Sequence, residues 1–321
     1  MNSSNPSKKV FAVVVTYNGA RWIRKCLQSL NESLYPVSIV VIDNGSKDDT
    51  IKIIKDNFPA VQVYEESTNL GFGQANNKGI SIALNQNADY TFLLNQDAFV
   101  EPDTIGQLVK TEFDSKGFGV LSPLHMKGSG TGLDEGFKNC ILKAKPAINS
   151  SSILKGEQNP AIIPVDFINA AAWMVSRAAF EIAGGFSPLF HQYGEDREYS
   201  IRLRFHLLKI GFVPNCKIYH DRDDRNPSPF FQSYEKLSWY YTVGVRARLV
   251  NVAMSLFICL WSMITWTIKE CAFHVLKGRW YAFFSWFRIW RVIGGEIPEI
   301  LQNRKLIKSG TKFLFLPIWK E

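Results

Sequence analysis

The sequence predicts an α/β domain on a parallel, doubly wound sheet, followed by a basic, aromatic helical region. Three observations carry this. Strand-like and helix-like runs alternate over residues 10–123. The strand-like runs are almost continuously apolar, as in parallel strands buried on both faces. Charge and aromatic content change sharply near residue 236.

In chain order, Val10–Thr16 reads as the first buried strand, Ala20–Leu30 as a helix and Val37–Ile42 as the second strand. Ser46 is placed to cap a helix over Asp48–Asn57, which would carry acids in its first turn. Val61–Tyr64 is a third strand, Gly73–Leu84 a helix, and Tyr90–Leu94 a fourth strand ending in Asn95-Gln96-Asp97. Pro102 suits the first position of another helix, and Gly119–Leu121 reads as a fifth strand. The Gly/Ser/Asn-rich stretch Gly128–Pro164 reads as a long loop or flap. Asp166–Ser176 reads as a strand, Glu195–Lys209 as a helix and Phe212–Tyr219 as a last strand. Two units are expected, 1–245 and 246–321.

With 321 residues, 46% apolar and 21% charged, the composition is globular and excludes disordered and collagen-like chains. Five cysteines without a CxxC pair argue against a disulfide framework or a zinc ribbon and favour a reducing compartment. The polar start Met1–Lys9 shows no signal peptide. A cytoplasmic location, peripheral on the inner face of the cell membrane, is therefore expected.

Residues 236–321 hold 13 Lys/Arg against 4 Asp/Glu, a formal +9 of the net +8, and seven of the nine tryptophans. The rest of the chain carries −1. A basic surface can face nucleic acid or anionic lipid, but so much apolar aromatic surface favours an anionic membrane and not nucleic acid. Leu249–Ile268 contains 20 residues without a charge, long enough to span a bilayer. Both flanks are basic, and a single span would put the more basic C-terminal side in the cytoplasm and the enzyme-like body outside. An in-plane helix, or a hairpin completed by Trp280–Trp290, avoids that conflict. A helix buried in a helical subdomain is the alternative.

Four polar clusters sit where strands end: Thr16-Tyr17-Asn18, Asp43-Asn44-Gly45-Ser46, the segment from Asn69 to Gly79, and Asn95-Gln96-Asp97. In a parallel sheet these share one rim, where one ligand can touch all four. None of them is a GxGxxG or P-loop pattern, so dehydrogenase and NTPase readings are poor. A nucleotidyltransferase would need a Gly-rich, basic loop after the first strand, and Thr16-Tyr17-Asn18-Gly19 is not one. Gly194-Glu195-Asp196 places two carboxylates at a helix N-terminus, where the helix dipole favours ionisation. Arg202 and Arg204 follow, placed either to pair with these acids or to approach a diphosphate.

The run VFAVVVTYN, IVVIDNGSKDDT, NLGFGQANNKGI, FLLNQDAFVEPD, GGFSPLFHQYGEDREYSIRLR and IYH resembles the family 2 glycosyltransferases of GT-A fold over residues 8–245. The NLGFGQANNKG and LLNQD spellings resemble the bacterial rhamnosyltransferase-like branch. The resemblance implies a mixed, mostly parallel sheet and an inverting, non-processive transfer of sugar from a nucleotide-diphosphate donor to an acceptor hydroxyl. dTDP-rhamnose is the implied donor, with UDP-galactofuranose, UDP-galactose or UDP-glucose as alternatives. The implied acceptor is a glycan, carried on a polyprenyl diphosphate, in cell-surface polysaccharide synthesis. Tyr17 and Asp43 match positions that hold the base. Thr16, Asn18 and Asn69 fall in the same nucleotide-sugar-binding segments, while Gly71 and Gly73 would admit the pyrophosphate and Asn77 would bond ribose or phosphate.

Asp97 matches the last position of the family's Asp-x-Asp motif, which binds a divalent cation, Mg²⁺ or Mn²⁺, on the donor phosphates. The first position is Asn95, a departure, and Gln96 lies between. His220 resembles a histidine that completes the metal site in part of the family. Asp196 matches the catalytic base, with Glu195 orienting the acceptor. The non-enzyme alternative is an inactive scaffold of the same fold at the membrane.

Overall fold

The computed structural model describes residues 8–144, 162–222, 234–278 and 280–317. Residues 145–161 of the expected loop, and Trp319 and Lys320 of the basic tail, lie outside these. The elements are β1 (Val10–Thr16), α1 (Ile23–Asn31), β2 (Val37–Asp43), α2 (Thr50–Asn57), β3 (Gln62–Glu65), α3 (Gly71–Asn85), β4 (Tyr90–Asn95) and β5 (Ala98–Val100). They continue with α4 (Thr104–Lys110), a 3-10 turn at Phe113–Lys116, β6 (Phe118–Lys127), α5 (Glu135–Ala144), β7 (Ile163–Val165), β8 (Ala172–Ser176) and α6 (Arg177–Ala183). Then come α7 (Glu195–Phe205), β9 (Lys209–His220), α8 (Tyr234–Leu249), α9 (Leu256–Leu276) and α10 (Trp280–Lys308).

One sheet runs β3-β2-β1-β4-β8-β6-β9-β5, with β7 also on β9. The first four strands are parallel, in a register that sets Thr16 beside Asp43 and Val15 beside Asn95. Their carboxyl ends therefore make one rim. β8 then enters antiparallel between β4 and β6, so the sheet is mixed.

Alternate side chains of β1 serve two cores. Val10, Ala12 and Val14 pack with Ile23 and Leu27 of α1 and Ile105 and Leu108 of α4. Phe11 and Val13 pack on the other face with Ile80 and Ala83 of α3 and with Phe180, Tyr199 and Leu203. Each such buried Val or Phe contributes about 1.5–3 kcal/mol. Gly79 lets α3 lie against β1, since a Cβ there would stand 2.4 Å from Val13 Cγ1.

Several boundaries differ from expectation. The helix expected from Asp48 starts at Thr50 without a side-chain cap or an acid in its first turn. Asp48 accepts the Thr50 N–H at 3.1 Å, and the Ser46 hydroxyl is engaged with Asp43 and Asn18. Pro102 precedes its helix by two residues. The fifth strand is ten residues long, and α5 and β7 lie within the stretch read as loop. Only Ala172–Ser176 of the strand expected from Asp166 is extended in the sheet.

The three C-terminal helices form their own core around Phe190, Tyr241, Val245, Met263, Trp286, Ile289 and Ile293. Two of the basic residues here face inward. Arg304 donates to the carbonyls of Leu249, Asn251 and Met254 at 2.6–2.7 Å, satisfying the end of α8. Arg246 makes a fork to Glu296. The segment after α10 returns to the sheet domain, where Gly185 N–H donates to Leu314 O at 2.7 Å.

The face α9 turns inward carries Cys259, Met263, Trp266, Glu270 and His274, with Tyr241 Oη donating to Glu270 at 2.7 Å. The face turned outward carries Phe257, Trp261, Ile264, Ile268 and Leu276, with Phe257 76% and Trp261 62% exposed. This helix is long and apolar enough to cross a membrane by length and composition. Its polarity is inverted relative to a helix of a water-facing surface, with carboxylate and imidazole inside and apolar groups outside.

Candidate active site

The rim is built from main-chain demands first. Asp43 is 2% exposed and accepts from the backbone N–H groups of Gly45 and Ser46 at 3.1 and 3.0 Å and from the Ser46 hydroxyl. Gln96 closes the β1 end: its Oε1 accepts from Thr16 Oγ1 at 2.6 Å and from Tyr17 N–H at 3.0 Å. Asn18, in the left-handed region at φ 47°, accepts from Lys47 N–H on Oδ1 and donates its own N–H to Ser46 Oγ. Asn69 Oδ1 accepts from Gly71 N–H at 2.8 Å, turning the chain into α3. Gly71 has φ +80°, and a Cβ there would lie 2.0 Å from His191 O.

A cleft of about 450 Å³ opens above this rim. Of the sequence-predicted residues, Tyr17, Asn69, Gly71, Asn95, Gln96, Asp97, Glu195, Asp196 and His220 line it. Thr16, Asp43 and Gly73 are buried and Asn18 is exposed, and none of the four is in that lining. Asn77 is a correction: buried, it donates to the carbonyls of Phe186 and Phe315 and accepts from Phe186 N–H at 2.7 Å. Its amide fastens two distant loops to α3 and is spent there.

At the cleft floor His220 Nε2 lies 3.2 Å from Asp97 Oδ1, both nearly fully buried. Behind them Asp134 is 3.6 Å from His220 Nδ1 and takes a two-pronged bond from Arg222 at 2.7 and 2.8 Å. The guanidinium holds the Asp134 carboxyl at about 2 despite burial, which pushes the other way. Among the described residues no group of three His, Cys, Asp or Glu is arranged to hold a metal. The donors do fit a cation that draws its remaining oxygens from a diphosphate and water: one carboxylate, one imidazole with a carboxylate behind it, and the neutral carbonyl of Asn95.

Glu195 and Asp196 share this lining and open α7 after Gly194 at φ +92°. A Cβ on Gly194 would stand 2.8 Å from Val243 and 2.9 Å from Phe190, so only glycine seats this turn against α8. Burial, and then the neighbouring Asp196, push the Glu195 carboxyl up to about 8, and its Oε2 has no hydrogen-bond partner. Burial raises Asp196 too, against the backbone amides of Arg197 and Ala170. The two carboxyls differ in their partners: Asp196 Oδ1 accepts from Arg197 N–H at 2.7 Å, whereas Glu195 Oε2 has none.

The two arginines on α7 have other partners. Arg202 makes a buried fork to Glu198 at 2.8 and 2.9 Å and also bonds Ala183 O, and Arg204 pairs with Asp166 at 3.1 Å. Neither reaches the acids at 195–196. Arg222, Asp134, Asn169 and His191 are site residues that sequence reasoning missed. Arg222 stands two positions after His220, which was the one available signal.

The family model Glycosyl transferase family 2 matches residues 11–180. The chain is 25% identical over 253 residues to the N-acetylglucosaminyl-diphospho-decaprenol L-rhamnosyltransferase of Mycobacterium tuberculosis, covering 71% of this chain and 82% of that one. It is 28% identical over 103 residues to the O-antigen chain rhamnosyltransferase RfbN of Salmonella typhimurium, 32% of each. Among solved structures, S. aureus TarS 1–349 in complex with UDP-GlcNAc matches with a TM-score of 0.56 at 16% identity, covering 94% of this chain and 84% of that one. That likeness shows the fold, a GT-A-like mixed sheet flanked by helices. With the matched segment spanning more than half its length, the chain belongs to glycosyl transferase family 2 and is a glycosyltransferase.

Proposed function

We propose that this glycosyltransferase moves L-rhamnose from dTDP-rhamnose, with inversion, onto a glycan carried by a polyprenyl diphosphate. The observation that carries the reading is that the Asp196 carboxyl lines the same nucleotide-sized cleft as the Asp97–His220 pair. The resemblance to rhamnosyltransferases of bacterial glycan assembly supplies the sugar and acceptor class.

The chemistry follows from these groups. Asp196 takes the proton of the acceptor hydroxyl as its oxygen forms a bond to the anomeric carbon. The bond from that carbon to the diphosphate oxygen breaks, and the nucleoside diphosphate leaves with the electron pair. Glu195, kept protonated at neutral pH, offers a hydrogen bond to orient the acceptor. Tyr17, half exposed at the mouth, offers an aromatic face to the base. Asp97 and His220 would hold the divalent cation, Mg²⁺ or Mn²⁺, which when bound offsets the charge of the leaving diphosphate.

The inverted polarity of α9 and the exposed Lys269, Lys277, Arg288 and Arg291 support a peripheral position on the anionic cytoplasmic leaflet. A helix with buried Glu270 and His274 contacts suits the membrane plane better than its interior. Thermal-shift titration with dTDP and UDP, with and without Mn²⁺, followed by the sugar nucleotides, tests the donor. A metal-dependent shift with dTDP and dTDP-rhamnose is expected. No shift with any nucleotide would overturn the transferase reading in favour of an inactive scaffold.

A further inference from the structure

A second cavity, of about 480 Å³, adjoins the cleft and meets it at Tyr193 and Asp196. Its walls come from α7, α8 and α9, not from the rim that faces the nucleotide. Two cations line it, Arg197 and Arg248, and no carboxylate among the described residues forms an ion pair with either. Arg248 Cζ lies over the Trp266 ring, 3.8 Å from its centre, and Nη1 donates to Gly244 O at 3.0 Å. Burial, followed by the charge of Arg197, lowers its affinity for its proton, with Tyr240 and Glu270 acting the other way. Gly244 makes the recess: a Cβ there would stand 3.0 Å from Trp266 and 3.5 Å from the Arg248 guanidinium. Trp239 and Tyr240 complete an aromatic wall.

A chamber lined by two arginines and an aromatic wall, with Asp196 at its mouth, selects an anionic group next to a sugar. α9 contributes Trp266 to the chamber and presents Trp261 and Phe257 outward, so the same helix joins the chamber to the apolar surface. We propose that this chamber binds the diphosphate of the lipid-linked acceptor, with Arg197 and Arg248 on the phosphate oxygens, so that the acceptor sugar reaches Asp196. The proposal rests on the transferase reading above and adds the acceptor's binding site to it.

The test uses the full chain in detergent, with dTDP and Mn²⁺ added first to fill the cleft. Binding of dTDP on that same preparation reports separately on the donor reading. The probe is farnesyl diphosphate, with neutral farnesol as its control. Wild type should bind the diphosphate more tightly than farnesol by ~tenfold or more. Arg197→Gln with Arg248→Gln should lose that margin while dTDP binding stays unchanged, and Arg248→Lys should keep part of it. If the double variant melts early, Arg197→Gln with Arg248→Lys replaces it, and a weakened diphosphate affinity is again expected. Equal binding of farnesyl diphosphate by wild type and variants would overturn the proposal, as would equal binding of farnesol and its diphosphate. A double variant that binds the probe normally but no longer sediments with phosphatidylglycerol vesicles would also overturn it, assigning the arginines to bilayer headgroups instead.

Discussion

His220 Nε2 meets Asp97 Oδ1 at 3.2 Å although 123 positions separate the two residues. The cause is a three-residue strand: β5 pairs antiparallel with β9, Ala98 falls opposite His220, and Asp97 is carried to the histidine by the register. A carboxylate and an imidazole brought together this way, at the floor of a nucleotide-sized cleft, form a pair for a cation to join.

Asp97→Asn and His220→Ala should each raise the Mn²⁺ concentration needed for dTDP to stabilise the protein by ~10–100-fold. EDTA should remove the dTDP shift of the wild type altogether. Equal dTDP shifts for wild type and both variants across a Mn²⁺ titration would refute the assignment.

Asp196→Asn keeps the size and the backbone hydrogen bonds of the residue but cannot accept the hydroxyl proton. Turnover should fall by ~10²–10⁴-fold with the dTDP-induced shift unchanged. Transfer at the wild-type rate would place the base elsewhere.

Arg202 and Glu198 form a buried ion pair that faces the core. Arg202→Met leaves the Glu198 carboxylate buried without its partner, and the loss should be about 3–5 kcal/mol. Chemical denaturation reads it. The double change Arg202→Met with Glu198→Leu should recover most of the loss, because the desolvated charge is gone.

Much of the donor rim is legible in the sequence, since each parallel strand is a continuous apolar run and the polar residue that ends it must sit at a carboxyl edge. Thr16, Asp43 and Asn95 fall there for that reason. β5 escapes because three residues carry no periodicity, and β8 escapes as an antiparallel insertion because strand order is decided by distant partners. Asp134 stands in a Gly/Ser-rich stretch that reads as loop, and only its Arg222 and His220 neighbours give it meaning. Asn77 misleads in the opposite sense. Its place beside a glycine-rich turn suggests a ligand, whereas its partner Phe186 lies 109 positions away.

Glu195 makes stability depend on pH. Its folded-state carboxyl titrates near 8, above the ordinary value of 4.5, so the folded protein holds a proton that the unfolded chain releases. Stability should therefore fall as pH rises from about 4.5 to about 8 and then level off. Glu195→Gln removes the proton release. It should match wild type at pH 4 and exceed it by about 1–3 kcal/mol at pH 8, read by melting across that range. A constant difference at all pH values would mean that the gain is packing and not ionisation.

The outward face of α9 makes the last prediction. Phe257, Trp261 and Ile268 are each more than 60% exposed, on the helix whose inner face holds Glu270 and His274. In water such a face is a liability, and in the interfacial zone of a bilayer it is a binding surface. Phe257→Ser with Trp261→Ser should leave the folded core intact, because neither side chain packs in it. Sedimentation with vesicles containing phosphatidylglycerol should drop by ~tenfold or more, since each large apolar side chain withdrawn from water is worth about 1.5–3 kcal/mol. Raising salt should weaken what remains, because Lys269, Lys277, Arg288 and Arg291 then act alone on the anionic surface. If the variant sediments as wild type does, the apolar face is not the anchor, and the basic residues alone would have to hold the protein at the membrane.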